Sequence, residues 1–297
     1  MDFKKEILSL MERLQFPSDA IKELLLAYDK ANSPEFNALL GFYIKDVNCN
    51  YEDMLETASK IGETLKIHKY TMHMLLFLCL APKLRERYAE KELSEELFYH
   101  TLKDLTYKLN ECRLMYAING TFVGEWFRHL FKMELFALGR LQFERFLTRY
   151  EYVYEGKILP VGTRLINIHI PRTGTKLDHD EVLKSYKMAE EMFADEFGGE
   201  PLTFLCDSWL LDPHIPSFLS PSSNLTKFQN DFTIVKTGES YEYSALWTVF
   251  DCRYDGDISV LPNDTSLRRA YINRIKNNEP FYYGHGLFRY KNGETIK

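Results

Sequence analysis

The chain has 297 residues, 45% of them hydrophobic, so two domains are the first expectation and a disordered chain is excluded. Its 37 Lys and Arg residues are interspersed among 43 Asp and Glu residues, which leaves no basic field for nucleic acid. The five cysteines show no spacing typical of zinc ligands, so we expect reduced thiols and no bound metal.

The first segment, MDFKKEILSLMERLQ, carries charges through its apolar positions and does not match a secretion signal. The longest apolar run, Met72 to Ala81, is interrupted by His73 and is about half the length that spans a bilayer. We therefore expect a cytoplasmic, soluble protein with no membrane partner.

Apolar residues recur at helical spacing up to about Tyr116, and the sequence predicts about five or six helices there. Helix start signals occur at Ser18, at Ser33 before Pro34, and at Ser94 before two glutamates. A further helix is predicted from Glu125 to Leu138. This half is expected to be a helical bundle.

From Gly139 the pattern changes to alternating apolar and polar residues. We expect strands from Arg140 to Tyr150 and from Glu151 to Leu159 as antiparallel neighbours, followed by a buried strand from Arg164 to Ile170. The turn Pro171 to Leu177 then leads into a helix.

That helix begins at the N-cap candidate Asp178, with Glu181 completing a capping box, and ends at Gly198-Gly199. Its apolar stripe consists of Val182, Tyr186, Ala189 and Phe193. The segment LTFLCDSW follows as a strand, and a strand, helix and strand of this length imply a parallel pair. A turn before such a helix offers backbone N–H groups to an anion such as phosphate.

Further strands are expected from Leu225 to Val235 and near Ser244 to Phe250. A helix from about Asp264 to Asn277 is expected to be capped by Asn263 or Asp264. Gly284-His-Gly is interpreted as a turn into a last strand, GLFRY. The sheet is therefore predicted to be mixed, and the fold class is α+β with two domains.

Five stretches, in order, resemble the GNAT-like C-terminal domain of a bacterial family of acyltransferase-domain proteins: GRLQFERF, INIHIPRTGTKLD, LCDSWLLDP, SPSSNLTKFQ and LPNDTSLRR. The preceding helices resemble the N-acyltransferase N-terminal domain of the same family. The resemblance implies a helical domain at residues 1–134 and a GNAT-like domain at residues 135–297.

GNAT enzymes transfer an acyl group from coenzyme A, usually to an amine. The resemblance implies that the loop from Pro171 to Leu177 binds the CoA pyrophosphate, and that the pantetheine arm lies where strand Asn167–Ile170 splays from strand Phe204–Ser208. The residues implied to bind acetyl-CoA or another acyl-CoA are Asn167, Ile168, Ile170, Pro171, Arg172, Thr173, Gly174, Thr175, Cys206 and Ser208. The loop matches the GNAT pattern Q/R-x-x-G-x-G/A only in part. The segment after Trp209 contains no tyrosine to serve as the general acid.

Transfer to an amine requires a base, because an ammonium group cannot attack a thioester. Glu144 and His169 are the candidates, since both alternate with apolar residues on their strands and can share one face of the sheet. The purely structural alternatives are that Glu144 forms a surface ion pair with Arg140 or Arg145, and that His169 is a hydrogen-bonded structural residue.

A separate hypothesis makes Cys206 or Ser208 a nucleophile with His169 as its base, although a cysteine in a buried strand is usually inert. The expected function is GNAT-like acyl transfer from acyl-CoA to a small-molecule or peptide amine, by direct transfer. The alternative is a non-catalytic module that binds CoA or a protein. Acyl length, acceptor and oligomeric state are left open by the sequence.

Overall fold

The computed structural model describes residues 3–240 and 246–296 of the chain. It divides into two compact units, one ending at Phe136 and the other beginning at Ala137. The first unit is helical, and the second is built on a mixed sheet. This agrees with the predicted α+β class.

Seven helices lie between Phe3 and Tyr116, where about five or six were expected. They are α1 (Phe3–Arg13), α2 (Ser18–Ala31), α3 (Pro34–Lys45), α4 (Tyr51–Leu65), α5 (Lys69–Glu90), α6 (Glu95–Leu102) and α7 (Asp104–Tyr116). Ser33 and Ser94 are N-caps whose hydroxyls accept from backbone N–H groups, as predicted. Ser18, by contrast, is the first residue of α2 and follows the N-cap Pro17.

The long apolar run forms the middle of α5, where every residue from Met74 to Ala81 is buried. A helix that is apolar on all sides belongs in the centre of a bundle, because each of its faces packs against a neighbour. Within the described part of the chain, no helix is both long and apolar enough to cross a membrane.

The helix predicted from Glu125 to Leu138 is wrong in its second half. A short helix, α8 (Phe127–Phe131), ends near Met133, which has a positive φ of 60°, and strand β1 (Leu135–Leu138) follows. All four residues of β1 are buried. A fully buried strand shows no alternation of polar and apolar residues, so periodicity cannot distinguish it from a buried helix.

Besides β1, the strands of the main sheet of the second unit are β2 (Leu141–Leu147), β5 (Arg164–His169), β6 (Leu202–Ser208), β7 (Thr233–Ser240), β8 (Phe281–Lys291) and β9 (Glu294–Ile296). Their order in the sheet is β1-β2-β5-β6-β8-β7, with β9 paired to β8. A separate hairpin consists of β3 (Tyr152–Tyr154) and β4 (Lys157–Leu159). The remaining helices are α9 (His179–Phe193), α10 (Ile215–Phe218), α11 (Asn224–Gln229), α12 (Trp247–Phe250) and α13 (Ser266–Lys276).

The predicted unit of strand, helix and strand is confirmed, since β5 and β6 are parallel and α9 connects them. Asp178 is the N-cap of α9 and accepts from the N–H of Asp180, while the Glu181 carboxylate bonds Lys184. The predicted stripe is fully buried. After a short 3-10 turn the chain leaves through Gly198, whose φ is +61°.

Three strand predictions are wrong in whole or in part, although the end of the segment from Leu225 to Val235 does lie in β7. The chain from Glu151 to Leu159 does not pair with β2 but folds back on itself as the β3–β4 hairpin, and β2 pairs instead with β5. Residues 225–229 lie in α11, and residues 247–250 form α12, while Ser244 and Ala245 lie outside the described residues. These segments are short and apolar, a pattern that fits either a strand or a buried helix.

Two further details differ from the sequence predictions. Thr265, rather than Asn263 or Asp264, is the N-cap of α13. Gly284-His-Gly is not a turn but the middle of β8, paired with both β6 and β7. A Cβ on Gly284 would lie 2.4 Å from the carbonyl oxygen of Leu211, so glycine is present there for close backbone approach.

Candidate active site

The site is organised by the separation of two parallel strands. β5 and β6 are paired at Ile166 with Phe204 and at Asn167 with Leu205. Beyond these pairs β5 continues to His169 and β6 to Ser208. The described ladder therefore stops where the family resemblance implied that the two strands separate. We call the space between these two strand ends the gap.

Side chains on one face of the sheet form an apolar cluster beside that gap. Leu165, Leu205 and Leu287 pack together with Tyr152 and Tyr154 of the β3–β4 hairpin. We call this the hairpin face. Because side chains alternate along a strand, residues two positions further along β5, β6 and β8 project from the same face.

Glu144 and His169 lie together on the hairpin face, as the alternation predicted. Glu144 is paired with Asn167 across β2 and β5, and its Oε2 lies 2.8 Å from Nε2 of His169. The side chain of Glu144 is 7% exposed and that of His169 is 25% exposed. The carboxylate is thus shielded from water, while the imidazole is partly exposed.

Asn167 completes this group. Its Nδ2 donates to Oε2 of Glu144 at 3.2 Å and lies 3.1 Å from Nε2 of His169. The residue is 8% exposed. Within the described part of the chain, its Oδ1 is buried and has no hydrogen-bond partner. A buried acceptor left unpaired costs about 1–3 kcal/mol, so a donor from a ligand would be favoured there.

The loop between β5 and α9 is held by a residue that sequence reasoning missed. Arg140 follows Gly139, whose φ is +64°, in the β1–β2 turn. Its guanidinium donates to the carbonyl oxygens of Pro171 (3.0 Å), Thr175 (3.4 Å) and Lys176 (3.4 Å). Because three carbonyl oxygens of the loop accept from one guanidinium, the loop is restrained. No local sequence signal predicts a contact between residues about thirty positions apart.

Within the loop, Gly174 is exposed and has a φ of +80°. The hydroxyls of Thr173 and Thr175 lie 2.7 Å apart, and the Thr175 N–H donates to the Thr173 hydroxyl. Pro171 is buried and Ile170 half-buried. The loop predicted to bind the pyrophosphate is therefore an ordered turn in which the backbone N–H group of Thr175 is already hydrogen-bonded.

Arg172 forms an ion pair with Asp251 and lies over the ring of Trp247. A phosphate that used Arg172 would have to share it with Asp251. The same carboxylate binds Arg268, which also bonds Asp264. Arg268 is thus held by two acidic neighbours, and the next residue, Arg269, donates to the carbonyl oxygen of Asn263.

Cys206 is fully buried, and burial raises the pKa of its thiol well above the ordinary range. It alternates with Leu205 and therefore points away from the hairpin face that carries His169. The Ser208 hydroxyl accepts from the N–H of Leu210 and caps a 3-10 turn. Neither geometry favours the hypothesis of a nucleophile activated by His169.

The comparisons with known proteins bear on this arrangement. The model of the GNAT-like C-terminal domain matches residues 135–288, just over half of the chain, and the model of the N-acyltransferase N-terminal domain matches residues 5–133. The chain belongs to the GNAT-like acyltransferase family. Its class is that of a GNAT-like N-acyltransferase with a helical N-terminal domain.

Solved structures of acyltransferases have the same fold. One, in complex with decanoyl-CoA and teicoplanin, is 22% identical with a TM-score of 0.74 and covers 96% of this chain and 88% of its own. Another, a mutant acyltransferase in complex with octanoyl-CoA, is 21% identical with a TM-score of 0.75 and covers 97% and 88%. No curated protein matches the chain. At this identity, the structural likeness concerns the fold.

Proposed function

We propose that this family member transfers an acyl group from acyl-CoA to an amine, with His169 as the general base and Glu144 as the residue that positions it. The single observation that carries the proposal is the 2.8 Å contact between His169 and a buried carboxylate at the edge of the β5–β6 gap. The sequence treated the two residues as separate candidates. Their geometry supports different roles.

A base must reach the proton that it removes, and it must be held in one orientation. His169 meets the first requirement through its partial exposure, and Glu144 meets the second because its buried carboxylate accepts from Nε2. The carboxylate also stabilises the imidazolium that forms when His169 takes a proton, since opposite charges attract strongly where water is excluded. Glu144 is therefore a positioning residue.

The donor is proposed to bind along the gap. Where β5 and β6 separate, backbone groups of Asn167, Ile168 and Ser208 are available to the amides of a pantetheine arm, and the loop restrained by Arg140 lies at the end of β5. Since the solved relatives contain octanoyl-CoA and decanoyl-CoA, we propose a medium-chain acyl-CoA as the donor.

The acceptor is proposed to be an amine on a small molecule or peptide. One solved relative was crystallised with teicoplanin, which supports an acceptor larger than a simple amine. All five cysteines are free, a state compatible with the reducing cytoplasm in which acyl-CoA is found.

Thermal shift and calorimetry with CoA, acetyl-CoA, octanoyl-CoA and decanoyl-CoA test the donor, because a ligand that binds only the native state raises its stability. We expect stabilisation by all four, strongest with a medium-chain ester. Release of CoA thiol in the presence of a panel of amines then tests transfer. No stabilisation at millimolar CoA esters would refute the donor assignment.

A second candidate is a non-catalytic CoA-binding module. The engagement of Arg172 by Asp251 and the partial match of the loop favour it. Stabilisation by CoA esters without thiol release for any amine would establish this alternative.

A further inference from the structure

A second polar group lies on the hairpin face, on the opposite side of the gap from His169. Asn167 is paired with Leu205, so the position two residues further is His169 on β5 and Asp207 on β6. Asp207 is in turn paired with His285 of β8. The two strands that bound the gap therefore present a histidine on one edge and a carboxylate on the other.

Asp207 lies beside the buried side chain of His285, which in turn contacts the buried side chain of Tyr152. Oδ2 of Asp207 lies 3.6 Å from Nδ1 of His285, and the Tyr152 hydroxyl lies 3.1 Å from the same nitrogen. Burial lowers the pKa of His285, against the opposing effect of Asp207, and burial raises the pKa of Tyr152 to about 12. Both residues are therefore neutral near pH 7, and neither cancels the charge of Asp207.

The Asp207 carboxylate remains accessible, with 49% of its side chain exposed, whereas that of His285 is 4% exposed. Lys236, paired with His285 across β7 and β8, places its nitrogen over the ring of Tyr150, 3.7 Å from the centroid. In the described part of the chain, His285 is the only basic side chain within 4.0 Å of Asp207. A negative charge without a cationic partner thus stands at the edge of the gap.

The β5 edge of the gap carries a hydrogen-bond acceptor that has no donor among the described residues. Oδ1 of Asn167 is buried and unpaired, while Nδ2 of the same amide is bound to Glu144 beside His169. A donor that reached Oδ1 would therefore lie next to the base. In an acyl transfer, the group beside the base is the nucleophile.

We propose that the acceptor enters the gap as its ammonium ion, with one N–H donated to Oδ1 of Asn167 and its charge facing the carboxylate of Asp207. This inference rests on the proposed function and names the residues that select the acceptor. Asp207 and Asn167 are specificity residues, and His169 is the group that removes the proton.

In the proposed reaction, the acceptor nitrogen loses two protons and forms one bond to carbon. The ammonium gives a proton to His169, and its nitrogen forms a bond to the thioester carbon as the carbon–sulfur bond breaks. A second proton leaves the nitrogen as the amide forms. The departing thiolate takes one of the two protons to give CoA thiol, and the other passes to solvent.

The decisive variant is Asp207→Asn, which keeps the shape of a half-exposed side chain and removes its charge. We expect KM for an alkylammonium acceptor to rise about ten-fold, because the ammonium loses its charge-assisted contact with the carboxylate. For hydroxylamine, which is mostly uncharged at neutral pH, KM should rise several-fold less. Asp195→Asn, an exposed carboxylate in the turn after α9, is the matched control. An equal effect of Asp207→Asn on both acceptors would overturn the inference.

Direct binding separates this inference from the proposed function. Calorimetry of the CoA-saturated protein with pentylammonium chloride and with n-pentanol requires no turnover. We expect the ammonium ion to bind about ten-fold more tightly, and Asp207→Asn to abolish that preference. Equal binding of the two probes to the wild-type protein would refute the ammonium site even if acyl transfer were observed. A charge preference without any thiol release would instead refute the proposed function alone.

Asn167→Leu tests the other edge. It should weaken binding of pentylammonium more than it weakens binding of CoA, because the donor is proposed to use only backbone groups of this residue. Weaker CoA binding with unchanged binding of pentylammonium would assign Oδ1 to the pantetheine arm and overturn the role of Asn167.

Discussion

Replacement of Glu144 by Gln is the most direct test of the pairing with His169. The carboxylate lies 2.8 Å from Nε2 and its side chain is 7% exposed, so the contact is a charge-assisted hydrogen bond away from water. Such a bond is worth about 1.5–3 kcal/mol, and about 1.4 kcal/mol corresponds to a factor of ten in rate. We therefore expect kcat to fall by about 10- to 100-fold.

His169→Gln removes the base itself and should lower kcat by about 10²- to 10⁴-fold. Because Glu144 acts only through His169, the double variant should be no slower than His169→Gln alone. The assay is release of CoA thiol with acyl-CoA and amine both saturating. Thermal unfolding of each variant checks that the fold is retained.

Glu196→Gln is the matched control. Glu196 pairs with Arg145 at 2.6 Å, and Arg145 alternates with Glu144 on β2, so this ion pair lies on the other face of the sheet. A partly exposed pair contributes about 1 kcal/mol or less, and kcat should be unchanged. Wild-type kcat in Glu144→Gln, or losses that multiply in the double variant, would refute the coupling of Glu144 to His169.

Three further predictions concern stability. Gly284→Ala should lower the unfolding free energy measured in urea by about 2–3 kcal/mol, because the new Cβ would lie 2.4 Å from a backbone oxygen. Gly41→Ala, in α3 with open space around the new Cβ, should raise it by about 0.5–1 kcal/mol, and similar effects of the two variants would contradict the close approach at Gly284. Arg274→Leu should cost about 3 kcal/mol by the same measurement, since the buried carboxylate of Asp212 then keeps only His214 as a partner among the described residues, and a loss under 1 kcal/mol would contradict this. Burial lowers the pKa of His73 from 6.5 to about 4, so the neutral side chain contributes about 3 kcal/mol to the unfolding free energy above pH 6.5, and this contribution is lost as the pH falls towards 4. The difference in unfolding free energy between wild type and His73→Gln should therefore shrink over that pH range, and a constant difference would contradict the prediction.

Several features of the candidate site could be predicted because they depend on residues close in sequence. The N-cap Asp178 and the apolar stripe of α9 follow from helical periodicity and from the unpaired N–H groups of a helix start. Strand alternation placed Glu144 and His169 on one face before any pairing was known. The family resemblance added the ligand and the meaning of the gap between β5 and β6.

Errors arose where alternation or periodicity was lost. β1 was predicted as a helix because all four of its residues are buried, and the start of α11 was predicted as part of a strand. The neighbour of β2 was also misassigned, because the choice between β5 and the adjacent hairpin depends on which face each segment buries.

By itself, the sequence determined the helical and mixed-sheet halves, the crossover from β5 to β6, and the two candidate residues of the base. Only the tertiary structure decided that Arg140 holds the loop after β5, that Asp207 lies beside His285, and that His285 contacts Tyr152, 133 residues away in the chain. Local patterns record which face a residue takes, since that depends on its near neighbours. Which distant side chain completes a site depends on the packing of whole strands, and no local pattern encodes it.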